Sequence, residues 1–210
     1  LVEAGVDEQQ RVHLLDVYRI TKSMYASVRV DFTYEAAGMQ VGPFEMLHVP
    51  GHCAGHVVIR LQDVLFAGDH VLADTSPHQS PEHLTNFTGL EHYLKSLDAL
   101  QAWAGGIRLT LGGHEAPILD LPARIEAIRL LHRQRLELVQ QLLSQPHTIA
   151  DLSHVLFGEV HGYNVLLALE ETGAHVEYLY QRGLLEIANL QDLENGKEPV
   201  TLRYRRAPTI

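Results

Sequence analysis

Residues 48–72, HVPGHCAGHVVIRLQDVLFAGDHVL, decide the fold class. Gly51 and Gly55 flank His52 and permit backbone conformations that bulkier residues resist, so the imidazole can be held rigidly in a loop. The loop leads into Val57-Val58-Ile59-Arg60-Leu61, a β-branched, apolar run that reads as a strand. A second apolar strand, Val64-Leu65-Phe66-Ala67, ends in Gly68-Asp69. Further on, Leu109-Thr110-Leu111-Gly112-Gly113-His114 repeats the pattern of strand, glycine and ligand-type side chain.

Outward from this stretch, residues 39–41 and 44–49 read as two more strands joined through Gly42 and Pro43. Val12, Leu15, Val17 or Tyr18 and Met24 recur at near-helical spacing and predict a helix over 7–28. Tyr93, Leu94, Leu97 and Leu100 predict another over 91–103, with a strand at 107–111 after it. From Ala123 to Gln145 the apolar stripe predicts a long amphipathic helix, which Pro146 ends. Beyond it, Thr148 caps a helix reaching about Phe157, residues 163–170 form a second, and Thr172 caps a third that stops at Gly183. Residues 184–190 and 199–205 read as a hairpin around Glu194-Asn195-Gly196. Three helices and a hairpin make a winged-helix-like unit. The expected partition is therefore a sandwich portion at 1–122, a linking helix at 123–146 and the winged-helix-like domain at 147–210.

The composition is that of an ordinary soluble protein, with 46% apolar and 20% charged residues. No run approaches the ~18 apolar residues of a membrane span. A net charge of −10 argues against a broad nucleic-acid grip, which needs clustered Lys and Arg. Cys53 is the only cysteine, so no internal disulfide forms and the cytoplasm is the default compartment. The chain starts at Leu1 without a signal-peptide pattern and reads as the later part of a longer protein.

His52, Asp69 and His114 are two imidazoles and a carboxylate at strand ends, a donor set suited to zinc or another borderline divalent metal. A carboxylate can bridge two cations, and such a pair lowers the pKa of a shared water and polarises a carbonyl or phosphoryl oxygen. Singly, each Gly-His or Gly-Asp is an ordinary turn. Their order changes that reading. The run at 48–72, followed by LTLGGHEAPI at 109–118, resembles the third, fourth and fifth motifs of the metallo-β-lactamase superfamily.

That resemblance implies an αββα sandwich with the metal site at one edge of the two sheets. It implies that His52 ligates the first of two divalent metals, zinc first with manganese or iron as alternatives. Asp69 would bridge both and orient the attacking water, His114 would ligate the second, and His56 would support the ligands from behind. The superfamily's His-x-His-x-Asp-His string is absent from these 210 residues, so four expected ligands are missing and the chain alone should not be a competent enzyme. The stretches 68–82, 89–100, 122–139 and 171–186 resemble the branch with a winged-helix tail, typified by β-lactamase-like protein 2, a mitochondrial endoribonuclease.

Beside these stand plainer readings. His70 follows Asp69 and points the other way along the strand, so structure is favoured. His78 and His83 fall in a polar loop. Cys53 reads as a small packed residue with no paired base. Arg124, Arg129, Arg133 and Arg135 spread around their helix as a solvated face. The third tail helix carries Glu177 and a single Arg182, poor for phosphates, while Lys197, Arg203, Arg205 and Arg206 on the wing leave room for RNA.

The leading expectation is a cytoplasmic metal-dependent hydrolase acting on an ester, thioester, lactone or phosphodiester. A small-molecule substrate is favoured over RNA, no membrane is involved and a homodimer is allowed. The alternatives are an endoribonuclease of the same fold and a non-catalytic binding module. No residue declares itself as substrate-binding.

Overall fold

Short apolar runs separated by glycine and proline turns leave the chain between residues 40 and 68 only one economical arrangement, an antiparallel meander. In the computed structural model, which describes residues 1–194 and 200–208, the strands are β1 (Gln40–Val41), β2 (Phe44–His48), β3 (Val57–Leu61) and β4 (Val64–Gly68). They pair antiparallel in chain order. The chain then crosses through a helix and returns as β5 (Leu109–Gly112), parallel to β4, giving the sheet order β1-β2-β3-β4-β5. Parallel pairing demands such a crossover.

The chain forms two compact units: Val28–Arg133 in one, and Leu1–Ser27 with Gln134–Ile210 in the other. In the sheet unit, period-two alternation sorts the side chains. Val58, Leu65, Ala67 and Thr110 are fully buried, as are Tyr93, Leu97 and Leu100 of the crossover helix (Leu90–Trp103). That helix is tied to the strand loops, for Ser96 donates to the Pro50 carbonyl at 2.7 Å and the Tyr93 hydroxyl to the His70 carbonyl at 3.0 Å. The other sheet face is an apolar row running through Met46, Ile59, Phe66 and Leu111 by register, with Phe66 41% exposed.

In the helical unit, the N-terminal helix (Glu8–Ser23) starts at Asp7, whose carboxylate accepts from the Gln10 N–H, and is shorter than 7–28. Residues 121–142 form the long helix. The next helix (Ile149–Phe157) begins with a reciprocal capping box between Thr148 and Asp151. One sequence expectation fails: residues 163–170 and 172–182 are not two helices but one (Tyr163–Gln181). The Thr172 hydroxyl donates back to the Ala168 carbonyl at 2.7 Å, so it continues the helix instead of capping a new one.

The tail then forms a two-stranded ribbon of Leu185–Ile187 with Tyr204–Arg206, shorter than expected, and a short helix (Leu190–Glu194) stands between the strands. The expected Asn195-Gly196 turn and Lys197 lie outside the described residues. Val139, Leu143, Leu152, Val176, Leu179 and Leu185 form this unit's main cluster, and Val6, Leu14 and Leu169 a smaller one. Among the described residues no helix is long and apolar enough to cross a membrane.

Three arginines of the long helix also depart from the expected solvated face, while Arg133 is exposed as expected. Arg124 donates to the carbonyls of Leu72 (2.5 Å) and Thr75 (2.7 Å), Arg129 pairs with Asp98 and Glu126, and Arg135 pairs with Glu171 at 2.8 Å. Apart from Glu126, three residues back on the same helix, these partners are remote in sequence, which helical spacing alone does not show.

Candidate metal centre

The loop of residues 49–56 is shaped by its histidines. A backbone carbonyl can only accept, so a ring nitrogen facing one must carry the proton. His48 donates through Nε2 to the Ala54 carbonyl (2.8 Å), His56 through Nε2 to the Ala67 carbonyl (3.2 Å), and His52 through Nδ1 to the His78 carbonyl (2.7 Å). The last bond fixes the His52 tautomer and leaves the Nε2 lone pair free.

Nε2 of His52 lies 4.0 Å from one oxygen of Asp69, and Nε2 of His114 lies 3.9 Å from the other. The structure therefore brings all three together with the carboxylate between two imidazoles. Both separations exceed a hydrogen bond and fall within twice the ~2.0–2.2 Å of a zinc–nitrogen or zinc–oxygen bond. The donors could thus hold a divalent cation on either side of Asp69. His114 and Asp69 are partly exposed, so the site opens to solvent.

Two glycines make room for this geometry. A Cβ on Gly113 would come within 2.2 Å of Asp69 Oδ1, and Gly68 holds φ +52° where a Cβ would sit 2.9 Å from His56 Nε2. The Gly113 N–H donates to the Gly68 carbonyl at 2.9 Å, joining the Asp69 and His114 loops directly.

Behind the site, His56 is partly buried and burial lowers its pKa, which keeps it neutral. Its Nδ1 faces the Cys53 sulfur at 3.6 Å, so the cysteine does have a basic neighbour, contrary to the sequence reading. Burial raises the Cys53 thiol pKa, which opposes a thiolate nucleophile. His70 is fully buried, its ring edge-on to Tyr93 at 5.2 Å, and burial first of all pushes its pKa down to about 3. Its ring does not reach the open site. His78 contributes its carbonyl to His52.

The sequence left Glu115 unmarked and placed Arg124 on a solvated face. The Glu115 carboxylate accepts from the Asp74 N–H (2.6 Å) and the Thr75 hydroxyl (2.5 Å). The Thr75 hydroxyl, then the Asp74 N–H, hold its pKa below the usual carboxylate range. An acidic residue beside a ligand-type histidine was the available signal.

The metallo-beta-lactamase superfamily profile matches residues 27–141, more than half of the chain, and the chain belongs to that superfamily. Its α/β fold is accordingly metallo-β-lactamase-like. A metallo-beta-lactamase family protein of Thermus thermophilus is 33% identical, with a TM-score of 0.61 over 78% of this chain and 49% of that one. A beta-lactamase domain protein of Burkholderia ambifaria is 26% identical, with a TM-score of 0.68 over 87% of this chain and 52% of that one. The chain spans about half the length of these relatives. No curated protein matches it.

Proposed function

We propose that the whole protein is a metal-dependent hydrolase in which His52, Asp69 and His114 supply half of a dinuclear site, filled by zinc or by manganese or iron. The observation that carries this is the Asp69 carboxylate, which turns one oxygen towards each imidazole at about 4 Å. Cations bound there would polarise the substrate's carbonyl or phosphoryl oxygen and supply water that loses a proton at neutral pH. The chain's own part is positional: His52 is held in one tautomer, Asp69 is seated against Gly113, and His56 ties the ligand loop to the strand before Asp69.

The remaining ligands and the second sheet of an αββα sandwich would come from a segment outside these residues. Support comes from the apolar sheet face through Ile59 and Phe66 and from relatives about twice as long. We read the tail as winged-helix-like and of the β-lactamase-like protein 2 branch, with the boundaries at 122 and 146 kept for the linking helix, residues 1–27 grouped with the tail's unit, and a cytoplasmic, homodimeric protein in view.

For substrate, an ester, thioester or lactone is favoured over RNA. The net charge is −10, and Arg205 is already paired with Glu186 at 2.6 Å, which leaves Arg203 and Arg206 of the wing's basic set among the described residues. The test uses full-length, zinc- or manganese-loaded protein on aryl esters, thioesters, lactones and single-stranded RNA. Ester or thioester turnover lost in Asp69→Ala but kept when Arg203, Arg205 and Arg206 become alanine is the expected result. Salt-sensitive RNA cleavage lost in both variants would make the protein an endoribonuclease, and inactivity everywhere would make it a binding module.

A further inference from the structure

Glu115 is a non-glycine residue at φ +72°, a backbone conformation that side chains other than glycine rarely adopt and that surrounding contacts must enforce. The contacts are visible. Its carboxylate gathers the Asp74 N–H, the Thr75 N–H (3.3 Å) and the Thr75 hydroxyl. Arg124 grips the same segment from the other side through the carbonyls of Leu72 and Thr75. Three residues after Thr75 comes His78, whose carbonyl accepts the His52 Nδ1–H. Residues 72–78 are thus a strap pinned by Arg124, by Glu115 and by His52 itself.

We infer that Glu115 is a positioning residue: by holding residues 74–75 it places the His78 carbonyl where it selects the His52 tautomer, and so couples the His114 loop to the imidazole on the opposite side of Asp69. Its value for metal binding rests on the function proposed above; the coupling itself does not. Removing Glu115 frees two main-chain N–H groups and a hydroxyl in the strap, and the His78 carbonyl then loses its fixed direction. A glutamine still accepts through one oxygen, so it restores part of the effect.

The experiment uses the full-length protein labelled with 15N-histidine, with the His52 ring assigned by its loss in His52→Gln. Long-range 1H–15N spectra of the metal-free protein report the tautomer, and competition with a chromophoric chelator reports zinc affinity. Wild type should show His52 protonated at Nδ1. Glu115→Ala should give a mixture of tautomers and a zinc affinity roughly 10- to 100-fold weaker, the range for residues that orient a ligand. Glu115→Gln and Thr75→Val should shift both readouts less, in the same direction, and they decide the matter if circular dichroism shows Glu115→Ala unfolded. An unchanged His52 tautomer in the folded variants overturns the coupling. A changed tautomer in a protein that never binds zinc upholds the coupling and sinks the metal reading.

Discussion

Two groups of histidines, one in each unit, are used in opposite ways. In the sheet unit, His48, His52 and His56 each give one ring N–H to a main-chain carbonyl, and His52 keeps its other nitrogen directed at a half-exposed carboxylate. In the helical unit, His175 is completely enclosed, donates through Nδ1 to the Glu171 carbonyl at 2.7 Å, and lies beside a Glu171 carboxylate paired with Arg135, whose guanidinium stacks on Phe157 at 5.2 Å. The first arrangement keeps donors available to a ligand. The second is closed to solvent, and there Arg135 compensates the buried Glu171 carboxylate.

The contrast is most exposed to failure at Asp69. Asp69→Ala should weaken zinc binding by the full-length protein more than about a hundredfold, beyond what orienting residues cost, while urea unfolding of the metal-free protein moves by less than about 0.5 kcal/mol. A large loss of metal-free stability would make Asp69 a structural residue. Arg135→Met should do the reverse, lowering stability by roughly 3–5 kcal/mol because Glu171 is left buried without its cation. Zinc affinity measured on the folded fraction should not change.

The pH dependence sharpens the same division. Burial lowers the pKa of His175. Below the ordinary histidine pKa of ~6.5 the unfolded chain therefore takes up a proton that the folded chain refuses, and stability should fall with decreasing pH by up to about 1.4 kcal/mol per pH unit. Chemical unfolding between pH 7 and pH 5 should show a shallower slope in His175→Gln than in wild type, and an equal slope would show that His175 does not contribute.

Smaller effects follow from packing at single positions. Gly113→Ala presses a methyl against the Asp69 carboxylate, so zinc affinity should fall by about tenfold through the ~1.4 kcal/mol of a displaced ligand, with the melting temperature nearly unchanged. Thr148→Ala, in the helical unit, should cost about 1 kcal/mol of stability through the lost cap and leave zinc affinity alone.

The sequence by itself determined what depends on neighbours in the chain. The strands at 44–48, 57–61 and 64–68 were legible because apolar runs and glycine turns act locally, and His52, Asp69 and His114 were legible because each follows a strand at a glycine. Only the tertiary structure decided which distant groups satisfy one another. Thr172 could cap a helix or bond back to Ala168, and the packing of Ala168, Ala174, Val176 and Leu179 into the core chose the continuous helix. Arg124 and His78 carry no distinguishing local pattern, and Glu115 only its place beside His114; all three matter through hydrogen bonds to residues 26 to 52 positions away, and such bonds become worth making only once folding has already brought the loops together.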